Sequence, residues 1–272
     1  MTWLLWRQHR AQALATVGLL VVLGLLMLVQ GADAYIYLGM LPVAPLLVGV
    51  FWGAPLLSRE FERGTQRLAW TQSVSRRRWL LAKLGALGLA VTVAGLVSGL
   101  MVNAWTNVPE FHKDLFEDDA LFGGSGVVAG AWWLFAFLLG VAAGGALRRL
   151  LPAIAVTVAV FMLVLFGILQ VRWNYAEPLI HAADTQTETG AMITGATWLD
   201  PSGAAFAEPP VCADVDDVRY TDCVEKAGYR LAFYVQPPDR YWRFQWTETG
   251  ILLLGGVLLA APVMYRVLRR PV

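Results

Sequence analysis

Six stretches of roughly 20 apolar residues limit what this chain can fold into, because a helix of that length spans the core of a bilayer. They are residues 12–30, 35–57, 80–104, 125–147, 152–171 and 249–268. Of the 272 residues, 57% are hydrophobic and only 15% are charged, whereas soluble domains carry about 25% charged residues. The sequence therefore predicts an all-α integral membrane protein with a bundle of six transmembrane helices.

Basic residues are concentrated on one side of these six spans. That side holds fourteen arginines and lysines against Glu60 and Glu62, which gives a net charge of +12; the other side holds seven against eighteen acids, which gives −11. Arginine and lysine accumulate in cytoplasmic loops, so the first side is predicted to be cytoplasmic, with both termini inside. We expect a multi-pass protein of the cell (plasma) membrane.

Three parts are predicted along the chain. Residues 1–171 hold an N-terminal amphipathic helix and the first five spans, with a cytoplasmic segment at 58–79. Residues 172–248 form an extracellular cap, and residues 249–272 form the sixth span and a cytoplasmic tail. The amphipathic helix is expected to lie on the inner membrane surface, and the alternative is a plain positive flank that orients the first span.

The cap is expected to be compact and to contain short helices, because it is too polar to span a membrane and rich in proline and glycine. It contains both cysteines of the chain, Cys212 and Cys223. Since the outer side of the membrane is oxidising, a disulfide is predicted between them, with a contribution of about 3 kcal/mol on the chain-entropy model. Their spacing excludes a CxxC metal site.

Prolines and glycines predict how the spans pack. Pro42, Pro45 and Pro55 fall in the second span, where they remove helix hydrogen bonds and predict a bent helix. Pairs of glycines four residues apart permit close helix contact, within one chain or between subunits. These pairs are Gly49/Gly53, Gly95/Gly99, Gly126/Gly130 and Gly140/Gly144.

Several kinds of chemistry are excluded by missing residues. None of the three lysines, Lys83, Lys113 and Lys226, follows a glycine as a phosphate-binding Walker A loop requires. No ionisable residue lies in the middle of a span, which argues against an ion-coupled carrier. No histidine lies in mid-span, and the sequence Gly123-Gly124-Ser125-Gly126 lacks the spacing of a serine nucleophile; it predicts a loop-to-helix junction with Ser125 as N-cap. We expect no catalytic residue, no metal and no cofactor in this chain.

The segment 58–79 combines two glutamates, a Gly-Thr pair and six arginines. Ser58 either continues the second span or caps a separate short helix, which Gly64-Thr65 then bends. Acidic residues come first and basic residues last, which indicates a helix–turn–helix excursion. One interpretation is a docking surface; the other, favoured by physical chemistry alone, is a basic loop that sets topology and binds anionic lipid.

A family resemblance favours the docking surface. The pattern Glu60-x-Glu62-x-Gly64-Thr65, followed by Leu68, Thr71-Gln72-Ser73 and Ser75-Arg76, resembles the loop after the second helix in permease subunits of type-2 ABC exporters. The amino-acid sequences of residues 63–79 and 240–250 are similar to those of an actinobacterial subgroup of that family. In the family this loop carries the coupling helix, which docks on a separate ATPase subunit.

The resemblance implies partners and roles for particular residues. Two permeases, identical or sister chains, would each rest on one of two ATPase subunits, which bind the ATP and Mg²⁺. The coupling helix would be shaped by Glu60, Glu62, Gly64 and Thr65. Partner carboxylates or lipid phosphates would be contacted by Arg67, Arg76, Arg77 and Arg78, and a second, smaller contact would be made by Arg148 and Arg149. Spans one, two and five would transmit the movement.

The function implied is ATP-driven export of an amphipathic or lipid-like molecule, such as a drug, lipid or peptide. Membrane lipids are expected as further partners, and nucleic acid is not. The alternative function is a non-transporting membrane scaffold or sensor, with the extracellular cap as a ligand-binding module.

Overall fold

The computed structural model describes residues 2–30, 41–63, 76–107, 114–183, 189–212 and 217–269. In chain order its helices are α1 (Thr2–Gln30), α2 (Val43–Val48), α3 (Ala54–Arg63), α4 (Arg76–Thr106), α5 (Asp119–Gly124), α6 (Gly126–Leu147), α7 (Leu150–Val171), α8 (Asp217–Lys226) and α9 (Tyr241–Arg269). A π-helical segment, Gly49–Gly53, joins α2 to α3. Short 3-10 helices lie at Arg172–Asn174, Pro210–Cys212 and Pro238–Arg240.

Five of these helices are long and apolar enough to cross a membrane, namely α1, α4, α6, α7 and α9. They coincide with five of the six predicted spans. The predicted span 35–57 is not among the five. Its residues 35–40 lie outside the described part of the chain, and residues 43–63 are helical throughout, through α2, the π-helical segment and α3.

The first helix differs from the prediction at its start. No break separates residues 2–11 from the first span, because α1 is a single helix from Thr2 to Gln30. Residues 2–11 thus form the first turns of α1 rather than a separate short helix, and their place at the inner membrane surface stays a prediction. Near residues 10–13, where the boundary is expected, the sequence has no glycine, no proline and no N-cap residue. Nothing there ends the helix.

Helix α6 forms the centre of the bundle. Of an 18-residue apolar stretch in this helix 78% is buried, compared with 6% of the corresponding stretch in α1. Glycines bring its backbone against those of its neighbours. A Cβ on Gly53 would lie 2.5 Å from the carbonyl oxygen of Phe137 and 2.9 Å from the Cα of Gly140. On α4, a Cβ on Gly99 would lie 3.1 Å from the Cβ of Ala129. The predicted close helix contact at these glycines is confirmed, and it lies within one chain.

The π-helical segment explains how the prolines are accommodated. Pro55 has no N–H, so it cannot donate to the carbonyl of Phe51 four residues before it. The side chain of Gln12, on α1, donates to that carbonyl instead, with Nε2 2.7 Å from the oxygen. Where the prolines predict a bent helix, the structure has a π-helical segment. The carbonyl of Phe51, which Pro55 cannot bond, accepts from Gln12 of the neighbouring helix α1.

A four-stranded antiparallel sheet lies between α7 and α9 in the chain, in the order β1-β4-β2-β3. Its strands are β1 (Leu179–Ala182), β2 (Met192–Leu199), β3 (Ala205–Phe206) and β4 (Arg230–Gln236). The predicted all-α fold is therefore wrong for this segment, whose described residues form four strands and one α-helix, α8. Residues such as Ile193, Phe233 and Val235 favour strands, but pairing them needs contacts between residues about 40 apart, which local composition does not show.

A small core fastens α8 to the sheet. It contains Trp198 of β2 and Val224 of α8 together with Cys212. A disulfide joins Cys212 to Cys223, with a Cα–Cα distance of 6.2 Å. A layer this small buries too little apolar surface to be stable by itself, and the covalent link compensates for that.

Opposite charges fasten the ends of α7 and α9 that adjoin the sheet. Arg172 is 1% exposed and Glu248 is 0% exposed, and two of the Arg172 nitrogens bond the Glu248 carboxylate at 2.8 and 3.0 Å. Arg172 also pairs with Asp119 of α5, and the indole nitrogen of Trp132, on α6, donates to Glu248 at 3.0 Å. Four helices therefore meet at this ionic cluster, although the sequence predicts that Arg172 and Glu248 belong to the extracellular cap.

The junction before α6 is also held by a distant residue. Ser125 occupies the N-cap position, but its side chain makes no capping bond. Gln245 of α9 does so instead, because its Oε1 accepts from the backbone N–H of Val128 at 3.0 Å. The predicted position of the cap is correct, whereas the side chain that caps the helix belongs to another element.

We predict that Gly140→Ala strongly destabilises the bundle, because the new Cβ would lie 2.7 Å from the backbone nitrogen of Ala54. Overpacking of this kind costs about 1–3 kcal/mol or more. Melting of the detergent-solubilised protein, followed by size-exclusion chromatography after heating, measures the loss. Gly167→Ala is the control, since a Cβ there meets nothing within 4 Å; equal melting temperatures for the two variants would contradict the contact.

We predict that Glu248→Leu destabilises the protein by about 3 kcal/mol, because it leaves the buried Arg172 without its main partner. The double variant Arg172→Met/Glu248→Leu removes both charges and is expected to melt at a higher temperature than Glu248→Leu alone. The same melting assay compares the two. A single variant as stable as the wild type would show that the ionic cluster does not hold these helices together.

Candidate functional site

The two ends of the bundle carry different chemistry. We call the end where α3 ends, α4 begins and α6 meets α7 the basic end, and the end that holds Arg172 and Glu248 the sheet end. The predicted coupling segment falls at the basic end. Of its residues, Gly64, Thr65 and Arg67 lie outside the described part of the chain. Arg76 and Arg77 belong to α4, but their side chains also lie outside it.

Helix α3 projects the acidic residues of the segment. Ser58 does not cap a separate helix; it is buried in the middle of α3, where its Oγ donates to the carbonyl of Ala54 at 2.7 Å. Ser58 therefore continues the helix of the predicted second span instead of starting a new one. Since α3 follows the π-helical segment without a break, the contact of that segment with α6 determines where Glu60 and Glu62 lie.

The carboxylate of Glu60 forms an ion pair with Lys83, in the first half of α4. Its Oε1 lies 2.5 Å from Nζ of Lys83, and the two side chains are 22% and 6% exposed. In this largely desolvated position an ion pair resists exchange with water, and removal of one partner leaves a buried charge. Glu60 therefore acts within the chain as a link between α3 and α4.

Glu62 bonds the beginning of α7. Its Oε1 accepts from the backbone N–H of Leu150 at 2.8 Å. The N-cap residue of α7, Arg149, makes no side-chain capping bond, so the carboxylate from α3 satisfies a free N–H and lies at the positive end of the α7 dipole. Glu62 therefore links α3 to the beginning of α7.

Arg148 shapes the elbow between α6 and α7. It adopts a left-handed backbone conformation with φ of 56°, and its N–H caps α6 by donating to Gly144 at 3.0 Å. This conformation is strained for a residue other than glycine. The guanidinium of Arg148 lies over the ring of Phe61, 5.2 Å from its centroid. Phe61 and Glu62, neighbours on α3, thus both hold the elbow.

Positive charge predominates among the described side chains on the surface of the basic end. Arg59, Arg78, Arg148 and Arg149 are exposed there beside the exposed Glu62, while Glu60 forms an ion pair with Lys83. This arrangement favours an acidic protein surface or anionic lipid headgroups at the basic end.

Sequence reasoning found these residues but not their partners. It treated residues 58–79 and Arg148-Arg149 as separate contacts, whereas Phe61 and Glu62 join them. It also missed Lys83 as the partner of Glu60. One signal was available at the sheet end, because Arg172 and Glu248 directly adjoin two antiparallel apolar runs with opposite charges.

Comparison with known proteins gives one match. A family model described as ABC-2 membrane transporter related matches residues 28–172, which include α3, the beginning of α4 and the α6–α7 elbow. No curated protein and no solved structure matches the chain. Together with the five apolar helices, the match places the protein in a membrane.

We predict that Glu60→Gln destabilises the protein, by about 1–3 kcal/mol, because Lys83 then keeps a buried charge without its carboxylate. The double variant Glu60→Gln/Lys83→Met is expected to recover part of the loss. Thermal melting in detergent measures both. The matched control is Asp222→Asn, which breaks an exposed pair with Lys226 at 3.8 Å and is expected to leave melting unchanged. Equal effects of Glu60→Gln and Asp222→Asn would contradict the link between α3 and α4.

Proposed function

Because the chain belongs to the ABC-2 related family of membrane transporters, we propose that it is the permease subunit of an ATP-driven exporter. The family match supports a permease that works with a separate ATPase subunit. Export, rather than import, and an amphipathic or lipid-like substrate are our proposals. Apolar faces on most of the long helices suit a substrate that partitions into lipid.

The basic end is the proposed docking surface for the ATPase. ATP and Mg²⁺ would be bound by that partner, and this chain would contribute no catalytic residue. The observation that carries the proposal is the bond from Glu62 to the N–H of Leu150. It joins the predicted coupling segment to the predicted second contact, so that one partner could press on both at once.

The contacts at the basic end define a route for the movement. A push on α3 reaches α7 through Glu62 and Leu150, and reaches α4 through Glu60 and Lys83. It reaches α6 through the glycine contacts of the π-helical segment. Close-packed backbones move as a unit rather than by bending, so helices in the second and fifth predicted spans would shift together.

The proposed topology places the basic end in the cytoplasm. It includes a sixth span, which residues 43–63 would form with the residues before them, and it puts the sheet outside the cell as the cap between spans five and six. The three-part division at residues 171/172 and 248/249 belongs to the same proposal. The oxidising exterior suits the disulfide between Cys212 and Cys223.

The proposed assembly contains two permeases and two ATPase subunits. The second permease is either another copy of this chain or a sister chain. Exposed apolar side chains on α7, such as Leu163 at 73% and Phe166 at 62%, offer surface for a second permease or for lipid. Anionic lipid is the further partner proposed for Arg67, Arg76, Arg77 and Arg78.

We predict that Arg149→Glu weakens copurification of the partner ATP-binding-cassette subunit by about tenfold. Arg149 is exposed at the basic end, and reversal of its charge repels an acidic docking surface. The two subunits are co-expressed, the permease is affinity-purified, and the bound ATPase is quantified together with its ATP turnover. Arg219→Glu, on α8, is the matched control and is expected to change neither quantity.

Two results would contradict the proposal. If no ATPase subunit copurifies with the wild-type chain, the scaffold or sensor function is favoured. If the ATPase copurifies equally with Arg149→Glu and Arg219→Glu, the docking surface lies elsewhere.

A further inference from the structure

A groove of about 440 Å³ separates α1 from the helical stretch that contains the π-helical segment. Ala15, Thr16 and Leu19 line it on α1, and Leu47 and Phe51 line it on the opposite side. The α1 residues recur three and four positions apart and therefore form one face of the helix. Apart from Gln12 and Thr16, the groove is apolar along this length.

The groove lies beside a helix that is little buried. Only 6% of an 18-residue apolar stretch of α1 is buried in the bundle. The bond from Gln12 to the carbonyl of Phe51 crosses the space between the two helices, and Phe51 remains 60% exposed beside this bond. The space therefore adjoins the π-helical segment at the carbonyl that Pro55 leaves without its helical donor.

Positive charge lies at one end of the groove. Arg59 lines it, at the end that lies toward the basic end of the bundle, and Arg10 is exposed on α1 two residues before Gln12. Within the described part of the chain, no acidic residue lines the groove, and neither Arg10 nor Arg59 forms an ion pair. The acidic neighbours of Arg59 on α3 bond elsewhere, Glu60 to Lys83 and Glu62 to Leu150.

We propose that this groove binds one acyl chain of an anionic phospholipid, with the lipid phosphate at Arg59. The stretch of α1 from Ala11 to Leu19 covers about 12 Å at 1.5 Å per residue, which is most of the depth of one leaflet of a core about 30 Å thick. An acyl chain therefore fits the groove while the headgroup stays at the interface. Guanidinium groups bind phosphate through charge-assisted hydrogen bonds.

A second copy of the chain is a poorer occupant. A two-fold interface brings the same surface of both subunits together, so Arg10 and Arg59 would face the arginines of the copy. A lipid phosphate neutralises the two arginines instead. The site needs neither ATP nor the ATPase subunit, so its test is independent of the proposed function.

The test is native mass spectrometry of the purified full chain, titrated with phosphatidylglycerol and with phosphatidylcholine that carry the same acyl chains. On the wild type, we expect the first phosphatidylglycerol to bind about five- to tenfold more tightly than phosphatidylcholine. Arg59→Gln is expected to remove that preference while phosphatidylcholine binding stays the same. Arg266→Gln, which changes an exposed arginine of α9 outside the groove, is the matched control and is expected to keep the preference.

A second variant tests the acyl chain separately from the charge. Ala15 is an exposed residue that lines the groove, and Ala15→Trp fills the groove without a change of charge. It is expected to weaken binding of both lipids at the first site, and glycerol phosphate without acyl chains is expected not to compete. Equal binding of the two lipids to the wild type, or an unchanged preference in Arg59→Gln, would overturn the proposal. So would competition by glycerol phosphate alone, or loss of a dimer in Ala15→Trp with no change in lipid binding.

Discussion

The contact between the π-helical segment and α6 is the constraint on which the other features depend. Gly49 and Gly53 meet Gly140, and Gly144 meets the backbone of Ala54 and Ser58 at the start of α3, so two backbones approach more closely than a side chain at these glycines would allow. Between helices in lipid there is little hydrophobic driving force, and close packing of this kind is the main source of association. Because α6 also packs against α4, α7 and α9, its position fixes the positions of the other long helices.

Both the proposed docking surface and the proposed lipid groove follow from that contact. Downstream, α3 leaves the π-helical segment in a fixed direction and carries Glu60 to Lys83 and Glu62 to Leu150. Because Pro55 has no N–H, the carbonyl of Phe51 accepts a hydrogen bond from the side chain of Gln12 instead. That side chain crosses the groove between α1 and the π-helical segment. The π-helical segment therefore lies between the proposed docking surface at the basic end and the groove beside α1 that would hold a lipid.

The two ends of the bundle are fastened by different means. At the sheet end, Arg172 and Glu248 are buried, and removal of either leaves the other charge without its main partner. At the basic end, the Glu60–Lys83 pair is largely desolvated, whereas the bonds of Glu62 and Arg148 are exposed, where water and ions weaken them. A partner that docks at the basic end would thus act on the exposed contacts with the α6–α7 elbow, which are more easily rearranged, while the sheet end holds α7 and α9 together.

The sequence alone predicts the five long helices, the glycines that pack them and the charged segment around Glu60 and Glu62, because apolar length and residue spacing are local properties. It did not determine the sheet, since β2 and β4 pair across about 40 residues. Nor did it identify the partners of Glu60, Glu62, Gln12 and Gln245, because each belongs to a different helix. Those partners depend on how close the helices lie and how they are rotated, which only the packing around α6 decides.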